Sequence, residues 1–475
     1  MTIIVGINPL ICLVFLNLFI QINKLTSFVL YPSIIKDKCN VKNYQKKMKI
    51  ENKLNIAHKT FTTWKSVPFK EKQKLLKKLA KVLDADAEKF GKIITKEMNK
   101  PISQSIAEVK KCALMVRYYA DAENILKPEK IKTEFRVSEI HYVPKGVILG
   151  VMPWNFPFWQ VIRFAVPAIL AGNTVVVKHA SICFGSGNAI EKIFLEAGFP
   201  KGVFQNLEIG HDEVKKVLEN PIIGGVSLTG SEKAGREVAS IAGKNIKKSL
   251  LELGGSDAFI VLDDADFAAA AESGAKSRLL NCGQACNAAK RFIIQKNVEK
   301  EFLPVFIKEY QKFVAGDPMK KKTNMAGMAR PDLADELENQ YDKALKNGAE
   351  IILPLVRLSD TEFEPGLIRV KSGNPILQEE LFGPLGMVMI AKDDQQAVKL
   401  ANDIPFGLSD SVWTKDKKRQ QFYIDHLESG TVSINKATSS DPRLPFGGAK
   451  SSGYGTELST VALKEFVNIR TVVGK

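Results

Sequence analysis

Residues 147–178 read VILGVMPWNFPFWQVIRFAVPAILAGNTVVVK, and this stretch decides the fold class. It begins with the apolar run Val147–Met152, continues with helical spacing over 161–171, and ends in the β-branched run Asn173–Lys178. Short apolar runs of this kind are typical of strands buried in a parallel sheet. A strand, a helix and a second strand in succession therefore predict a βαβ unit.

Strands and helices continue to alternate on both sides of this unit. Upstream, apolar spacing predicts helices over 70–92 and after Pro101, and alternation predicts a strand over 131–145. Downstream, the same signals alternate through 186–228 and start again after Gly254–Gly255, where a second series runs to about residue 390. This order predicts an α/β protein with two doubly wound lobes.

Composition and charge exclude several classes of protein. The 475 residues are 45% apolar and 25% charged, which is ordinary for a globular chain and unlike a collagen, a disordered chain or a polytopic membrane protein. The net charge is +16, but lysines are spread along the chain without a basic stripe or a nucleic-acid motif. We expect no nucleic-acid partner, whereas an anionic cofactor or substrate would suit the charge.

Cysteine and histidine usage argues against disulfides and metals. Six cysteines are too few for a disulfide scaffold, and no Cys-x-x-Cys occurs. The five histidines form no ligand cluster along the sequence. We therefore expect a reducing, cytoplasmic location and no metal site.

The N-terminal segment 1–47 is atypical. Residues 2–23 carry no charge, and Leu10–Ile20 is strongly apolar. Three interpretations remain open: an upstream extension that is not part of the mature enzyme, which would then start near Met48; a membrane anchor; or a targeting peptide. Membrane contact is expected only if this segment is an anchor.

Four short segments carry residues suited to chemistry. Asn155, in Pro153–Pro157, follows a predicted strand where ligands bind in open α/β sheets, and its amide could stabilise an oxyanion. Glu252, among leucines in Leu251–Gly255, would have a raised pKa suited to a general base. Each also has a purely structural interpretation: a capping Asn in a rigid turn, or a Glu in an ion pair.

The other two segments are a glycine-containing turn and a cysteine loop. Gly230, Ser231 and Gly235 follow a predicted strand and begin a helix, where backbone N–H groups suit phosphate oxygens, although simple capping explains them as well. Cys286, in Asn281–Asn287, is a candidate nucleophile, with an inert buried cysteine as the alternative.

Taken together, these segments resemble the NAD(P)-dependent aldehyde dehydrogenases from about residue 51 to the C-terminus. The segments 379–384 (EELFGP) and 445–453 (PFGGAKSSG) add to the resemblance. It implies a fold with two Rossmann-like lobes and a small β arm that makes homodimers or homotetramers. The implied parts are a cofactor domain (48–124 and 144–253), a catalytic domain (254–448), and an oligomerisation arm with the C-terminal strand (125–143 and 449–475), in which the arm pairs with Val467–Val473.

The resemblance also implies the role of each catalytic residue. Cys286 would attack the substrate aldehyde, Asn155 and the Cys286 backbone N–H would stabilise the oxyanion, and Glu252 would activate the hydrolytic water. For NAD or NADP it implies these contacts: Lys178 and Glu380 at the riboses, Phe382 at the nicotinamide, Gly230, Ser231 and Gly235 at the pyrophosphate, with Trp154 and Ser181 nearby. Ser181 is not a carboxylate, so nothing at that position repels the 2′-phosphate of NADP.

Within the family, the closest resemblance is to bacterial-type succinate-semialdehyde dehydrogenases. Arg163 and Ser440 match residues that bind the substrate carboxylate in that group. A further arginine of some relatives is Leu280 here, and Arg443 is a candidate replacement. An enzyme for another aldehyde is the alternative, and a non-catalytic member of the fold is a remote one.

Cys282 lies four residues before Cys286. A reversible disulfide between them is one hypothesis. The alternative is a small buried residue, because disulfide geometry is strict.

Overall fold

The computed structural model describes residues 32–475, with side chains from residue 48 onward. The chain divides into two compact units, Met1–Asn52 and Lys53–Lys475. Of the first unit, residues 32–52 are described and are helical. The apolar residues 2–23 lie outside the described part. In that part, no helix has the length and apolarity needed to cross a membrane.

The helices of the described chain include four in succession before the first strand, and most of the later ones are separated by strands. In chain order they are α1 (Pro32–Trp64), α2 (Phe69–Ala85), α3 (Ala87–Met98), α4 (Ile102–Asp121), α5 (Trp159–Leu170), α6 (Phe184–Glu196), α7 (His211–Glu219), α8 (Glu232–Lys244), α9 (Phe267–Leu279), α10 (Glu299–Tyr310), α11 (Pro331–Lys346), α12 (Asp394–Asn402) and α13 (Lys417–His426).

The strands are mostly short. They are β1 (Glu129–Lys130), β2 (Val137–Pro144), β3 (Val147–Met152), β4 (Thr174–His179), β5 (Phe204–Leu207), β6 (Ile223–Thr229), β7 (Lys248–Glu252), β8 (Asp257–Val261), β9 (Ala289–Gln295), β10 (Glu350–Leu353), β11 (Val356–Arg357), β12 (Phe363–Glu364), β13 (Gly366–Arg369), β14 (Leu385–Ala391), β15 (Phe406–Gly407), β16 (Ser409–Trp413), β17 (Thr431–Ile434), β18 (Ala449–Lys450), β19 (Gly453–Tyr454) and β20 (Val467–Gly474).

The first sheet has the strand order β19-β7-β6-β3-β4-β5. Its strands are parallel except for β19, which pairs antiparallel with β7. The chain runs from β3 to β4 and β5 on one side, then returns to β6 and β7 on the other. The junction of β3 and β6 is therefore a topological switch point, where open α/β sheets bind ligands.

The second sheet has the order β10-β13-β14-β9-β8-β16-β17 and is parallel except at its β10 edge. Each sheet has its own hydrophobic core, because helices cover its apolar strands. Val175 and Val177 of β4 lie in the first core, and Phe259 and Ile293 lie in the second. The prediction of two doubly wound lobes is confirmed.

A third, antiparallel sheet joins distant parts of the chain. β2 pairs along its whole length with β20, and β1 pairs with β2. The pairing of β2 with the C-terminal strand is the one expected from the sequence. Ile469 and Val473 are exposed on β20, so this sheet presents apolar side chains outward.

Two secondary-structure predictions were wrong in detail. The helix expected over 70–92 is two helices, because the backbone of Asp86 (φ −104°, ψ 18°) turns the chain between α2 and α3. The strand expected over 131–145 begins only at Val137. Ile131 and Phe135 are exposed, so the alternation there marks no buried face.

Candidate active site

Four of the predicted site residues lie at or just beyond the carboxyl ends of strands in the first sheet. Asn155 follows β3, Lys178 is the penultimate residue of β4, Gly230 follows β6 and Glu252 ends β7. Parallel strands bring their carboxyl ends to one edge of a sheet, and β3 and β6 are neighbours there. The sheet topology thus places these residues around the switch point.

Cys286 lies on the loop between α9 and β9, which arrives from the second lobe. Asn281, Cys282 and Gly283 all have positive φ (52°, 55° and 75°), so the chain turns sharply just before the cysteine. Gly283 is required here, since an added Cβ would collide with the carbonyl of Gly383. The turn leaves Cys286 half-buried, in contact with the hydrophobic core of the first lobe.

Arg278 holds this loop in place through hydrogen bonds. Its fully buried Nη2 donates to the carbonyl oxygens of Gly283 (2.7 Å), Leu381 (3.3 Å) and Gly383. One cation therefore joins the cysteine loop to the segment that carries Glu380 and Phe382. No signal in the sequence pointed to this anchor, because Lys276 is a second basic residue in the same turn of the helix.

Asn155 contacts the cysteine loop directly. Its Nδ2 donates to the carbonyl of Gln284 (3.0 Å), and its Oδ1 accepts from Gln160 Nε2 (3.1 Å). The side chain of Asn281 in turn donates to the Asn155 carbonyl (3.0 Å). These bonds fix the amide with its NH₂ toward the loop, and the second N–H of Nδ2 remains for a ligand.

Glu252 is a buried carboxyl group, 2% exposed. Among the described residues, neither of its oxygens has a hydrogen-bond partner. Burial raises the pKa of Glu252 to about 8, although Arg163 acts to lower it. A carboxyl group that titrates near neutral pH can hold a proton or accept one, as a general base requires.

The thiol of Cys286 is protonated at neutral pH. Burial raises its pKa to about 12, while the positive charges of Lys290 and Arg163 act in the opposite direction. Lys290 is fully buried and donates to the carbonyls of Ala285 (2.9 Å) and Cys286 (2.5 Å). The thiol therefore needs a proton acceptor to react, and Glu252 is near enough for its charge to act on the thiol.

Arg163 is a buried residue in an ion pair with Glu457. The two side chains are 3% and 2% exposed, so this ion pair is buried and does not lie at the surface. Burial lowers the pKa of Arg163, but Glu457, Glu252 and Cys286 together raise it above its ordinary value. The guanidinium thus lies in the field of the predicted catalytic residues Glu252 and Cys286, and its buried Nη2 has no hydrogen-bond partner within the described chain.

Ser440 is held by a residue that sequence reasoning missed. Lys111 on α4 donates from Nζ to Ser440 Oγ (2.7 Å), and its ammonium lies 4.2 Å from the centroid of the Trp159 ring. Arg443, the candidate replacement for Leu280, is exposed and makes a bidentate ion pair with Asp441. Its charge is already compensated at the surface.

Two of the residues predicted to contact the cofactor, Lys178 and Ser181, lie at the end of β4 and just after it. Lys178 is 2% exposed, and its side chain makes no hydrogen bond or ion pair with another described residue. Burial lowers its pKa, which a hydroxyl acceptor would offset. Ser181 is exposed and begins the short helical turn after β4. The residues around this edge therefore offer a donor without a partner and no carboxylate at position 181.

In the glycine-containing turn after β6, the three residues predicted at the pyrophosphate each make a contact within the protein. Gly230 donates its N–H to the Glu252 carbonyl (3.0 Å), and Ser231 caps α8 by accepting from the Ala234 N–H (3.3 Å). Gly235 packs against Leu253, where a Cβ would come within 2.6 Å of its side chain. Gly235 thus allows close helix–strand packing.

Glu380 is bonded to residues of the second lobe. Its Oε1 accepts from the Gly255 N–H (3.1 Å) and lies 3.2 Å from Lys290 Nζ. Phe382 lies edge-on to Trp154, with 5.7 Å between the ring centroids. Phe382, predicted at the nicotinamide, is thus adjacent to the turn that holds Asn155. Glu380, predicted at a ribose, is adjacent to Lys290, which binds the Cys286 carbonyl.

Cys282 and Cys286 belong to different surroundings. Cys282 is 1% exposed and lies in the hydrophobic core of the second lobe, whereas Cys286 contacts that of the first. Burial raises the pKa of Cys282 to about 12. These observations favour the small buried residue over the disulfide hypothesis.

Comparison with known proteins gives one consistent family. A sequence model described as the aldehyde dehydrogenase family matches residues 26–472, starting earlier than the motifs suggested. A probable NADP(+) succinate-semialdehyde dehydrogenase of Synechocystis is 43% identical over 90% of this chain and 94% of that protein. An NAD(P)+ succinate semialdehyde dehydrogenase of Escherichia coli is 41% identical over 89% of this chain and 92% of its own.

Solved structures agree with the sequence comparison. The succinic semialdehyde dehydrogenase of Streptococcus pyogenes, in complex with NADP+, superimposes with a TM-score of 0.86 and 36% identity, covering 89% of this chain and 94% of the other. The structure of Gox0499, a protein studied for its cofactor and substrate selection, superimposes with a TM-score of 0.87 and 35% identity. The match covers 90% of this chain and 94% of the other.

Proposed function

Because this chain belongs to the aldehyde dehydrogenase family, we propose that it oxidises succinate semialdehyde to succinate with NAD or NADP. The single observation that carries the proposal is the arrangement of Asn155, Glu252 and the Cys286 loop around one edge of the first sheet. The names of the relatives from Synechocystis, Escherichia coli and Streptococcus pyogenes support the substrate and the cofactor.

The first chemical step is addition of the Cys286 sulfur to the aldehyde carbon. The thiol proton must leave, because the pKa of about 12 keeps the thiol neutral at pH 7. Glu252 in its carboxylate form accepts that proton, directly or through water. The new C–S bond gives a thiohemiacetal whose oxygen carries the developing negative charge.

Asn155 stabilises that oxygen. One N–H of its Nδ2 is used by the Gln284 carbonyl, and the other is directed to the oxyanion together with the backbone N–H of Cys286. Gln160 holds the amide oxygen, so the donor is oriented before the substrate arrives.

When bound, NAD(P)+ supplies the acceptor for the hydride that leaves the thiohemiacetal carbon. Cys286 then carries a thioester. Glu252 takes a proton from a water molecule, the hydroxide adds to the thioester carbonyl, and the C–S bond breaks to release the carboxylic acid. A burial-raised pKa of about 8 allows Glu252 to take up and release protons near neutral pH.

The residues that would hold the cofactor are Lys178 and Glu380 at the ribose hydroxyls, Gly230 and Ser231 at the pyrophosphate, Phe382 and Trp154 at the nicotinamide, and Ser181 at the 2′-position. Lys178 fits because its buried ammonium lacks an acceptor in the described chain. Ser181 fits either cofactor, because its hydroxyl neither repels nor neutralises a phosphate.

Arg163 and Ser440 are the proposed contacts of the substrate carboxylate. Arg163 has a buried nitrogen without a hydrogen-bond partner in the described chain. Its positive charge acts to lower the pKa of Cys286. Ser440 offers a hydroxyl held by Lys111. A four-carbon acid aldehyde is short enough for both ends to be recognised at once.

The domain organisation and the assembly are part of the proposal. The cofactor domain comprises 48–124 and 144–253, the catalytic domain 254–448, and the arm 125–143 with 449–475. The exposed apolar residues of β20 support a homodimer or homotetramer made through the arm. A cytoplasmic location accords with the sparse cysteines of the sequence.

The test is an NAD(P)H absorbance assay of the full-length chain with succinate semialdehyde and with butanal, a four-carbon aldehyde that lacks the carboxylate. We expect a much higher kcat/KM for succinate semialdehyde, and no activity in Cys286→Ala. Equal kcat/KM for the two aldehydes would leave an aldehyde dehydrogenase of broader specificity and overturn the substrate assignment.

A further inference from the structure

Lys111 is a half-buried cation that has no anionic partner among the described residues. In the described part of the chain its single hydrogen bond goes to the neutral hydroxyl of Ser440, and it makes no ion pair. Its ammonium also lies over the ring of Trp159. A buried charge is costly unless it is paired, so this arrangement is incomplete in the protein alone.

The position of Lys111 connects it to the residues proposed for the substrate carboxylate. α4 packs against α5, and Lys111 lies on the Trp159 ring at the start of α5. Arg163 is one helical turn further along α5, on the same face as Trp159. Lys111 thus connects Ser440 to the helix that presents Arg163.

Charge balance shows why Arg163 is insufficient by itself. Arg163 is already neutralised by Glu457, so the pair adds no net charge to the pocket. The position from which some relatives supply another arginine is Leu280, and Arg443 is paired with Asp441 at the surface. A substrate carboxylate that leaves water for this pocket needs one further cation.

We propose that Lys111 is that cation and determines the specificity for an acid aldehyde by pairing with the substrate carboxylate, with Ser440 orienting the ammonium. The proposal rests on the proposed function, since it requires a substrate that carries a carboxylate. It assigns a charged contact to α4, an element that holds none of the residues predicted from the sequence motifs.

The electrostatics of Lys111 accord with this role. Burial lowers its pKa to about 8, and the charge of Arg163 lowers it as well. Cys112, Glu108 and Asp441 act in the opposite direction, but Glu108 is bound to Lys100 and Asp441 to Arg443. A substrate carboxylate next to the ammonium would favour its charged form.

The experiment compares Lys111→Met, Lys111→Arg and the control Lys110→Met, which changes the adjacent exposed lysine. Each full-length variant is assayed with succinate semialdehyde and with butanal. Loss of a charge-assisted contact predicts about a 10- to 100-fold higher KM for succinate semialdehyde in Lys111→Met. The same variant should lose far less with butanal, Lys111→Arg should recover most of the affinity, and Lys110→Met should resemble the parent.

The outcomes separate this inference from the proposed function. A parent enzyme that does not favour succinate semialdehyde over butanal would overturn the substrate itself. A parent that does favour it, together with a Lys111→Met variant whose KM is unchanged, would overturn the role of Lys111 alone. Equal losses with both aldehydes and a lowered Tm would show a structural role and also overturn the inference.

Discussion

The buried ammonium of Lys290 donates a hydrogen bond of 2.5 Å to the backbone carbonyl of Cys286. The same nitrogen lies 3.2 Å from Glu380 Oε1. A single cation therefore connects the proposed nucleophile to a proposed cofactor residue, and its charge lowers the pKa of the thiol. Changes at Lys290 should be detectable at Cys286.

Lys290→Gln should slow alkylation of Cys286. Without the positive charge the thiol pKa rises, and each unit of increase lowers the thiolate fraction and the rate about tenfold at a given pH. The measurement is the pH dependence of iodoacetamide labelling at Cys286, followed by mass spectrometry. Lys290→Arg keeps the charge and should stay near the parent; an unchanged profile in Lys290→Gln would contradict the electrostatic role.

Hydrolysis of the thioester should depend on ionised Glu252. Its raised pKa of about 8 means that the carboxylate form increases as the pH rises through 8, so kcat should increase over pH 7–9 when this step limits the rate. Glu252→Gln should abolish that increase and reduce steady turnover. A variant with the parent's pH profile would exclude Glu252 as the base.

Asn155→Ala should lower kcat by about 10²- to 10³-fold, the range observed when one oxyanion donor is removed. KM for the aldehyde should change much less, because the donor acts on charge that develops after binding. Steady-state kinetics measure the split, and Tm checks the fold, since the Gln284 carbonyl also loses a partner. A change in KM alone would contradict this role.

Arg163→Ala should destabilise the protein by about 3–5 kcal/mol, because it leaves the carboxylate of Glu457 buried and unpaired. The double variant Arg163→Met, Glu457→Gln should lose less stability than the two single changes added together. Denaturant unfolding measures the free energies. Strict additivity would show that the two side chains do not interact.

Ser181→Glu should shift cofactor preference toward NAD. A carboxylate at this position repels the 2′-phosphate, so KM for NADP should rise by about 10-fold or more, while KM for NAD changes little. Ser181→Gln, similar in size but neutral, is the control. The prediction fails if both variants affect the two cofactors equally.

Much of the protein could be predicted from its sequence. The two doubly wound lobes and the family are confirmed, and the pairing of β2 with β20 is present. The break at Asp86 and the late start of β2 were not predicted, because an apolar pattern does not show where the chain turns or which strand has a partner. The close packing of Leu253 against Gly235 was also not predicted, since it depends on how α8 lies on the sheet.

From the sequence alone the fold class could be inferred, and Cys286, Glu252 and Asn155 could be predicted as site residues, because local apolar periodicity and short motifs carry that information. Which polar and charged groups contact each other is visible only in the tertiary structure. Arg163 pairs with Glu457, Lys111 with Ser440, and Lys290 supports Cys286 beside Glu380. Most of these partners are far apart along the chain and share no periodicity. Burial lowers the pKa of Lys111 and raises that of Cys286, and burial exists only once both lobes have packed.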